Sequence, residues 1–154
     1  MTPSYRSARI HATSVAFDCG GSYAAALLLG KSGAGKSELG AELIGLGAIL
    51  VADDQTCLHR VGSEIHLSAP KPLRGLIELR GLGILSVPCV EAARLVVLVD
   101  LDEAETERMP EPRFAEVHGV CIPRLRKCQG RAFPVGLKYY ILSRSGEAST
   151  PCPS

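Results

Sequence analysis

Eight consecutive residues, G-K-S-G-A-G-K-S at positions 30–37, have the types and spacing needed to bind phosphate, because they fit the pattern G-x-x-x-x-G-K-[S/T]. Glycines allow the backbone to turn its N–H groups inward around phosphate oxygens, and a following helix N-terminus adds partial positive charge. Lys36 would reach the β- and γ-phosphates, and the Ser37 hydroxyl would ligate Mg²⁺. The alternative is a glycine-rich turn that binds nothing. The predicted P-loop, which binds a nucleotide, consists of Gly30, Lys31, Ser32, Gly33, Ala34, Gly35, Lys36 and Ser37.

Carboxylates occur at the end of one apolar segment and within another further along the chain. Asp53 and Asp54 come directly after residues 49–52, and a buried strand that ends in acids delivers them to the sheet edge where α/β sites form. Two adjacent acids repel each other, so they need a cation, which Mg²⁺ and Lys36 would supply. A solvated Asp-Asp turn is the alternative. Glu78 is either a further metal-facing carboxylate or the partner of a neighbouring arginine.

The segments around the glycine-rich loop (residues 30–37) predict the elements that position it. Residues 24–29 form an apolar run of strand length, and leucines at helical spacing predict a helix over 36–46 that stops at Gly47. Gly40 and Gly45 weaken this helix, so we expect both to pack closely on a sheet. A second strand, residues 9–17, precedes the first through the turn 18–22. Because a hairpin enters the loop, we predict an α/β fold with a mixed sheet.

The remaining pattern predicts short strands, loops and one helix. Residues 95–100 are apolar throughout and predict a central strand. The other predicted segments are a hairpin (56–60 and 65–68), a strand interrupted by glycines (77–85), an exposed loop (102–112), a hairpin (113–117 and 120–122), and a helix (134–142). Residues 123–131 carry four cations and no acid, which indicates either a solvated edge or a surface for phosphate or an acidic partner.

Composition limits the class of protein. The chain has 154 residues, 46% of them hydrophobic, which suits one domain over residues 1–142; the Ser/Pro/Thr-rich residues 143–154 predict a disordered tail. No apolar run has membrane-spanning length and the N-terminus lacks a signal-type segment, so we predict a cytoplasmic protein. We expect its six cysteines to be reduced. The net charge of +1 does not suggest nucleic acid as a partner.

With these segments placed, the chain resembles the catalytic domain of the bacterial HPr kinase/phosphorylase family. Four blocks carry the resemblance in order: I-H-A-T (10–13), the glycine-rich loop, L-V-A-D-D (50–54), and L-R-G-L-G-I (79–84) preceded by Glu78. The Glu-x-Arg-Gly-Leu-Gly block is the most diagnostic, because generic P-loop kinases lack it. The short form without an N-terminal domain looks like that of alphaproteobacteria.

The resemblance implies an ATP-dependent serine kinase whose substrate is HPr, the phosphocarrier protein of a phosphotransferase system. It implies a P-loop core related to phosphoenolpyruvate carboxykinase, a need for Mg²⁺ or Mn²⁺, and a homo-oligomer that is usually a hexamer. Many members also remove the phosphate with inorganic phosphate and release pyrophosphate. The implied roles are metal ligation by Ser37 and Glu78, nucleotide binding by Lys36 and the loop, and an active-site histidine at His11. The resemblance also implies a general base within the Asp53–Asp54 pair; the sequence does not separate the two, and we favour Asp53.

The chain departs from the family at several points. Lys31 stands where the family commonly has Asp or Pro and places an extra cation beside the phosphates. The arginine-bearing loop tied to phosphorylase action matches Gly130-Arg131 only faintly, with Arg124 to Arg126 as a competitor. We find no match to the C-terminal helix of longer members. Kinase activity is therefore better supported than phosphorylase activity. Two alternatives remain: a P-loop kinase of a small metabolite, and a non-catalytic, nucleotide-responsive regulator that binds HPr or a sensor protein.

Overall fold

The computed structural model describes residues 2–152, which form two α-helices, thirteen strands and one short 3-10 helix at Lys71–Leu73. The helices are α1 (Lys36–Gly45) and α2 (Phe133–Arg144). The strands are β1 (Ser4–Tyr5), β2 (Arg9–His11), β3 (Thr13–Asp18), β4 (Tyr23–Leu29), β5 (Ile49–Ala52), β6 (Gln55–Val61), β7 (Glu64–Ser68), β8 (Leu76–Leu79), β9 (Gly83–Ser86), β10 (Ala93–Ala104), β11 (Phe114–Val117), β12 (Val120–Lys127) and β13 (Thr150–Pro151). Within residues 2–152, no helix is long and apolar enough to cross a membrane.

The main sheet has the strand order β1-β11-β12-β10-β4-β3-β5 and mixes both strand orientations. Strand β10 runs parallel to β4 and to β12, whereas β3 runs antiparallel to β4 and to β5. The mixed sheet predicted from the hairpin before the glycine-rich loop is therefore confirmed. Strands β2, β6 and β7 branch from this sheet, and β7 pairs with the start of β10.

The centre of the sheet is buried on both faces, which explains its uniformly apolar strands. One face of β3, β4 and β10 packs with Leu39 and Leu43 of α1 and with Leu137 and Ile141 of α2. The opposite face packs against residues of β6, β7, β11 and β12. Residues that alternate along β4 contribute to the two clusters in turn, so residues 24–29 carry no polar side chain on either face. Polar side chains are therefore expected where the strands end.

Helix α1 ends as predicted, with Gly47 in the left-handed region at φ 107°. The N–H of Ala48 donates to the carbonyl of Leu43, and that of Gly47 donates to Ile44, which is the Schellman arrangement. The prediction of close packing is confirmed at Gly40, where an added Cβ would lie 3.0 Å from Cγ2 of Thr13. It is wrong at Gly45, where an added Cβ would meet no atom within 4 Å.

Four strand predictions differ from the structure, one of them being the predicted strand 120–122, since β12 runs on to Lys127. Residues 9–17 form two strands, β2 and β3, which pair with different neighbours. Residues 77–85 form the hairpin of β8 and β9 instead of one interrupted strand, because Gly81 and Gly83 have positive φ angles that turn the chain back. The predicted loop 102–112 begins later, since β10 extends to Ala104.

The C-terminal segment also differs from its prediction between residues 143 and 152. Helix α2 continues to Arg144, and β13 pairs antiparallel with β12. A disulfide joins Cys121 to Cys152, whose Cα atoms lie 4.9 Å apart, so the expectation of six reduced cysteines is wrong for this pair. The size of the chain suggested that no disulfide was needed for stability. Size does not determine which cysteines lie close together in the fold. The last two residues of the predicted tail lie outside the described residues.

Candidate functional site

The glycine-rich loop connects the end of β4 to the start of α1. Gly33 and Gly35 have φ angles of 88° and 96°, values that side chains disfavour, and helix α1 begins directly afterwards. Lys36 is buried, and its Nζ donates to the carbonyl oxygens of Gly30 (2.6 Å) and Lys31 (3.1 Å). The Lys36 ammonium group is thus held within the loop beside the helix N-terminus, where both charges favour an anion.

Asp53 is a buried carboxylate at the end of β5, and three different elements donate hydrogen bonds to it. Its Oδ1 accepts from the hydroxyls of Thr13 (2.8 Å) and Ser37 (2.7 Å). Its Oδ2 accepts from the backbone N–H of Glu78 (2.9 Å). Side chains on β3 and α1 and the backbone of β8 therefore converge on one acid. Ser37 uses its hydroxyl hydrogen for this bond, which leaves the lone pairs of its oxygen free to ligate a cation.

Asp54 has a different environment, although it is the next residue. Its side chain is 65% exposed, and its Oδ1 lies 3.2 Å from Nε2 of His11. Its φ of 68° lies in the left-handed region, and its carbonyl accepts the N–H of Ala12. This backbone conformation is uncommon outside glycine and often marks a functional site. It turns Asp54 away from Asp53, so the two neighbouring carboxylates do not share one environment.

The residues described above line one open cleft of about 290 Å³. The cleft brings together nine of the residues predicted for the site: His11, Ser32, Gly33, Gly35, Lys36, Ser37, Asp53, Asp54 and Glu78. The other three, Gly30, Lys31 and Ala34, belong to the loop but do not line the cleft. The common location of these nine residues supports their assignment to a single site.

Sequence reasoning missed four residues at or beside this site. Thr13, Glu38 and Arg80 line the cleft. Asp102 lies beside the loop, and both of its carboxylate oxygens accept the backbone N–H of Lys31, at 3.1 and 3.0 Å. Thr13 and Arg80 stand inside blocks that carried the family resemblance, so those blocks held a usable signal. Asp102 had no such signal, because it is 71 residues from its partner.

The oxygen donors in the cleft suit a magnesium ion. The Ser37 hydroxyl and the Glu78 carboxylate are hard ligands of the kind that Mg²⁺ prefers. Residues 2–152 contain no cluster of three or more His, Cys, Asp or Glu side chains placed to hold a metal. A small number of protein ligands fits Mg²⁺ in a nucleotide site, because this ion keeps several waters and takes further ligands from phosphate oxygens. The residues present therefore fit the metal.

The basic stretch 123–131 does not contribute to the cleft. Arg124 is buried, and its guanidinium lies 3.2 Å from Asp100 and 3.3 Å from Glu103. Arg126 also approaches Glu103, at 2.9 Å. The two interpretations left open by the sequence, a solvated edge or an anion-binding surface, are therefore both wrong for Arg124, since β10 supplies its counter-charges.

Comparisons with known proteins agree on one family. Residues 8–109 match the family described as HPr Serine kinase C-terminal domain. The HPr kinase/phosphorylase of Leptothrix cholodnii is 42% identical over 113 residues, covering 64% of this chain and 35% of the relative. That of Caldicellulosiruptor bescii is 38% identical over 112 residues, covering 64% and 36%. The chain thus spans about a third of the length of the curated relatives it matches.

A solved structure has the same fold. The Hpr(Ser) kinase/phosphatase from Coxiella burnetii superposes with a TM-score of 0.68 at 24% identity. The superposition covers 89% of this chain and 88% of that one. The mixed α/β architecture described above is therefore one that this kinase also adopts.

Proposed function

The chain belongs to the HPr Serine kinase C-terminal domain family, and from this premise we propose that it transfers the γ-phosphoryl group of ATP to a serine of the phosphocarrier protein HPr. One observation carries the proposal: Lys36, Asp54 and Glu78 come from separate segments and line the same cleft. These are the parts that phosphoryl transfer requires, namely a cation for the phosphates, a base, and a metal ligand.

In this proposal the glycine-rich loop is a P-loop, and Lys36 and the loop N–H groups hold the ATP phosphates. Gly30, Lys31, Ser32, Gly33, Ala34, Gly35, Lys36 and Ser37 form it. Lys36 already lies beside the loop carbonyls, so it needs little rearrangement to reach the phosphates. Ser37 and Glu78 would hold Mg²⁺, which neutralises charge on the phosphates when it is bound. A P-loop core of the phosphoenolpyruvate carboxykinase type is part of the same proposal.

We assign the general base to Asp54, and thereby give up the preference for Asp53 that the sequence alone suggested. Both oxygens of Asp53 already accept hydrogen bonds, and the residue is only 5% exposed. Asp54 is exposed in the cleft, so an incoming serine hydroxyl reaches it. The serine oxygen bonds to the γ-phosphorus, the bond to ADP breaks with its electron pair on ADP, and Asp54 accepts the hydroxyl proton. His11, 3.2 Å from Asp54, orients that carboxylate.

The test is a transfer assay with γ-labelled ATP, Mg²⁺ and HPr from the same organism. We expect label on the HPr serine, and none when that serine is replaced by alanine. Absence of label under conditions where ATP binds would overturn the proposal. ATP-dependent binding of HPr without transfer would identify a nucleotide-responsive regulator instead, and transfer to a small metabolite would identify a metabolite kinase.

Three further properties are proposed from the family alone. Phosphoserine-HPr with inorganic phosphate should release pyrophosphate if the chain also catalyses the reverse reaction. A homo-oligomer, hexameric as in the family, should appear by light scattering of the purified protein. Cell fractionation should place the protein in the cytoplasm.

A further inference from the structure

We propose that Asp102 is a positioning residue that holds the glycine-rich loop in its phosphate-binding shape; the proposal rests on the nucleotide-binding role proposed above. Asp102 belongs to β10, and no motif pointed to it. Its two carboxylate oxygens lie 3.1 and 3.0 Å from the backbone nitrogen of Lys31. An ionised acceptor makes this a strong hydrogen bond to the second residue of the loop.

The peptide groups at the start of the loop are held from both directions. The N–H of Lys31 donates to Asp102, and the carbonyl of Gly30 in the same peptide group accepts from Nζ of Lys36 (2.6 Å). The next carbonyl, that of Lys31, accepts from Nζ of Lys36 (3.1 Å) and from the N–H of Ala34 (3.0 Å). Asp102 therefore fixes the peptide that in turn holds the ammonium group proposed to contact the phosphates. Without Asp102, the peptide group whose carbonyl orients Lys36 would lose the hydrogen bond that holds its N–H.

Close packing shows that the loop is seated on the end of β10. A Cβ added to Gly30 would lie 3.3 Å from Cβ of Leu101 and 3.5 Å from Oδ1 of Asp102. It would also lie 2.7 Å from Cβ of Ala34, closer than real side chains come. Position 30 thus accepts only glycine in this arrangement, and the absence of a side chain there lets Asp102 reach the next N–H.

Asp102 is itself held by a partly buried ion pair. Its N–H donates to Oδ1 of Asp100 (2.9 Å), and Oδ2 of Asp100 lies 3.2 Å from Nη2 of the buried Arg124. The parallel register places Asp100 opposite Leu29, the last residue of β4. Strand β4 therefore ends opposite Asp100 while β10 continues past it, and the Arg124–Asp100 pair fixes the backbone from which Asp102 reaches the loop.

The experiment compares Asp102→Ala and Asp102→Asn with Asp18→Ala in the full chain. Asp18 is a matched control, because its exposed Oδ1 also accepts two turn N–H groups, those of Gly20 and Gly21 at 3.2 Å, but at the other end of β4. Binding is measured by titration with a fluorescent ATP analogue and Mg²⁺. We expect Asp102→Ala to raise the Kd about tenfold, as for loss of a charged hydrogen bond. Asp102→Asn, which keeps one acceptor oxygen, should raise it about threefold.

A role in overall stability alone predicts a different result. It would lower the unfolding midpoint of Asp102→Ala and leave the Kd of the folded protein unchanged. A Kd within about twofold of wild type for both Asp102 variants, or equal to that of Asp18→Ala, overturns the proposal. In the transfer assay, we expect the KM for ATP to rise with the Kd while kcat at saturating ATP changes little. ATP binding by the wild type without transfer to HPr refutes the kinase proposal, and the affinities still decide the role of Asp102; no ATP binding refutes both.

Discussion

Asp53 and Asp54 show how two identical side chains can acquire opposite roles from their surroundings. The first is enclosed and accepts from Thr13, Ser37 and the backbone of β8, so it organises the site. The second is exposed beside His11, where we propose that it accepts the proton of the substrate hydroxyl. Sequence could place both at a strand end, because the apolar run before them is local. It could not separate them, because the donors to Asp53 come from residues 13, 37 and 78 and the φ of Asp54 depends on tertiary contacts.

We predict that Asp54→Asn lowers kcat for HPr phosphorylation by about 10²-fold or more, because an amide cannot accept the serine proton. Its unfolding midpoint in urea should stay close to that of wild type, since the side chain is exposed. Turnover within a few fold of wild type would contradict the assignment of the base.

Asp53→Asn should behave differently. Its amide NH₂ would face one of three groups that now donate to the carboxylate, so we expect a loss of about 1–3 kcal/mol in the free energy of unfolding. The two variants therefore form a matched pair, each read by urea unfolding and by transfer rate. Equal stabilities for both would show that the three hydrogen bonds to Asp53 contribute little.

At the scale of the elements, local pattern predicted β4, the loop, α1 and β5, since each is short and uninterrupted. The local pattern failed where pairing between strands distant in sequence, or the sign of a φ angle, decides the outcome. These cases are the division of residues 9–17, the β8–β9 hairpin, and the length of β10. Helix α1 shows both results in one element. Its end at Gly47 followed from sequence, whereas only the structure shows that Gly40 faces β3 and Gly45 faces solvent.

We predict opposite effects on stability when Gly40 and Gly45 are each replaced by alanine. Gly45→Ala should raise the free energy of unfolding by up to about 1 kcal/mol, because alanine favours the helix and its Cβ meets nothing within 4 Å. Gly40→Ala should lack this gain and lower stability, because its Cβ would press on Thr13, whose hydroxyl is held by Asp53. Urea unfolding of the two variants checks this, and an equal gain for both would refute it.

The segment after β10 gives a prediction about pH. A hydrogen bond from Arg113 lowers the pKa of Glu105 below its ordinary value. A lowered pKa in the folded state contributes stability above the unfolded carboxyl pKa of about 4.3, and this is lost as the pH falls through the folded value. Glu105→Gln should therefore be less stable than wild type at pH 7, and the difference should shrink on acidification. Glu111→Gln, in the same exposed segment, is the control and should show no such pH dependence.

At the scale of the whole molecule, a strand pairing and a disulfide attach the C-terminal segment, residues 145–152, to the sheet. Strand β13 pairs with β12, and the disulfide joins Cys121 to Cys152 across a separation of 31 residues. Polar composition suggested that these residues would have nothing to pack against. Neither the strand pairing nor the crosslink could be inferred from composition, because each depends on where β12 lies in the folded chain.

We predict that Cys152→Ser lowers the free energy of unfolding by about 2–4 kcal/mol, because the crosslink no longer restricts the unfolded chain. Cys128→Ser removes an exposed free thiol and should change little. Urea unfolding with and without reductant tests this. Reductant should bring the wild type to the level of Cys152→Ser; identical midpoints for all of these samples would show that the bridge contributes nothing.

Strand β10 has a consequence for the cooperativity of the whole molecule. It pairs with both β4 and β12, and its central residues belong to both core clusters. Breaking the backbone hydrogen bonds of Val97 to Val99 would expose both clusters at once. The amides of these residues should therefore exchange hydrogen for deuterium only through global unfolding. A bound nucleotide should then slow their exchange by the factor by which it stabilises the folded protein, although these amides lie inside the sheet. Exchange at β10 would thus report occupancy of the cleft from a distance.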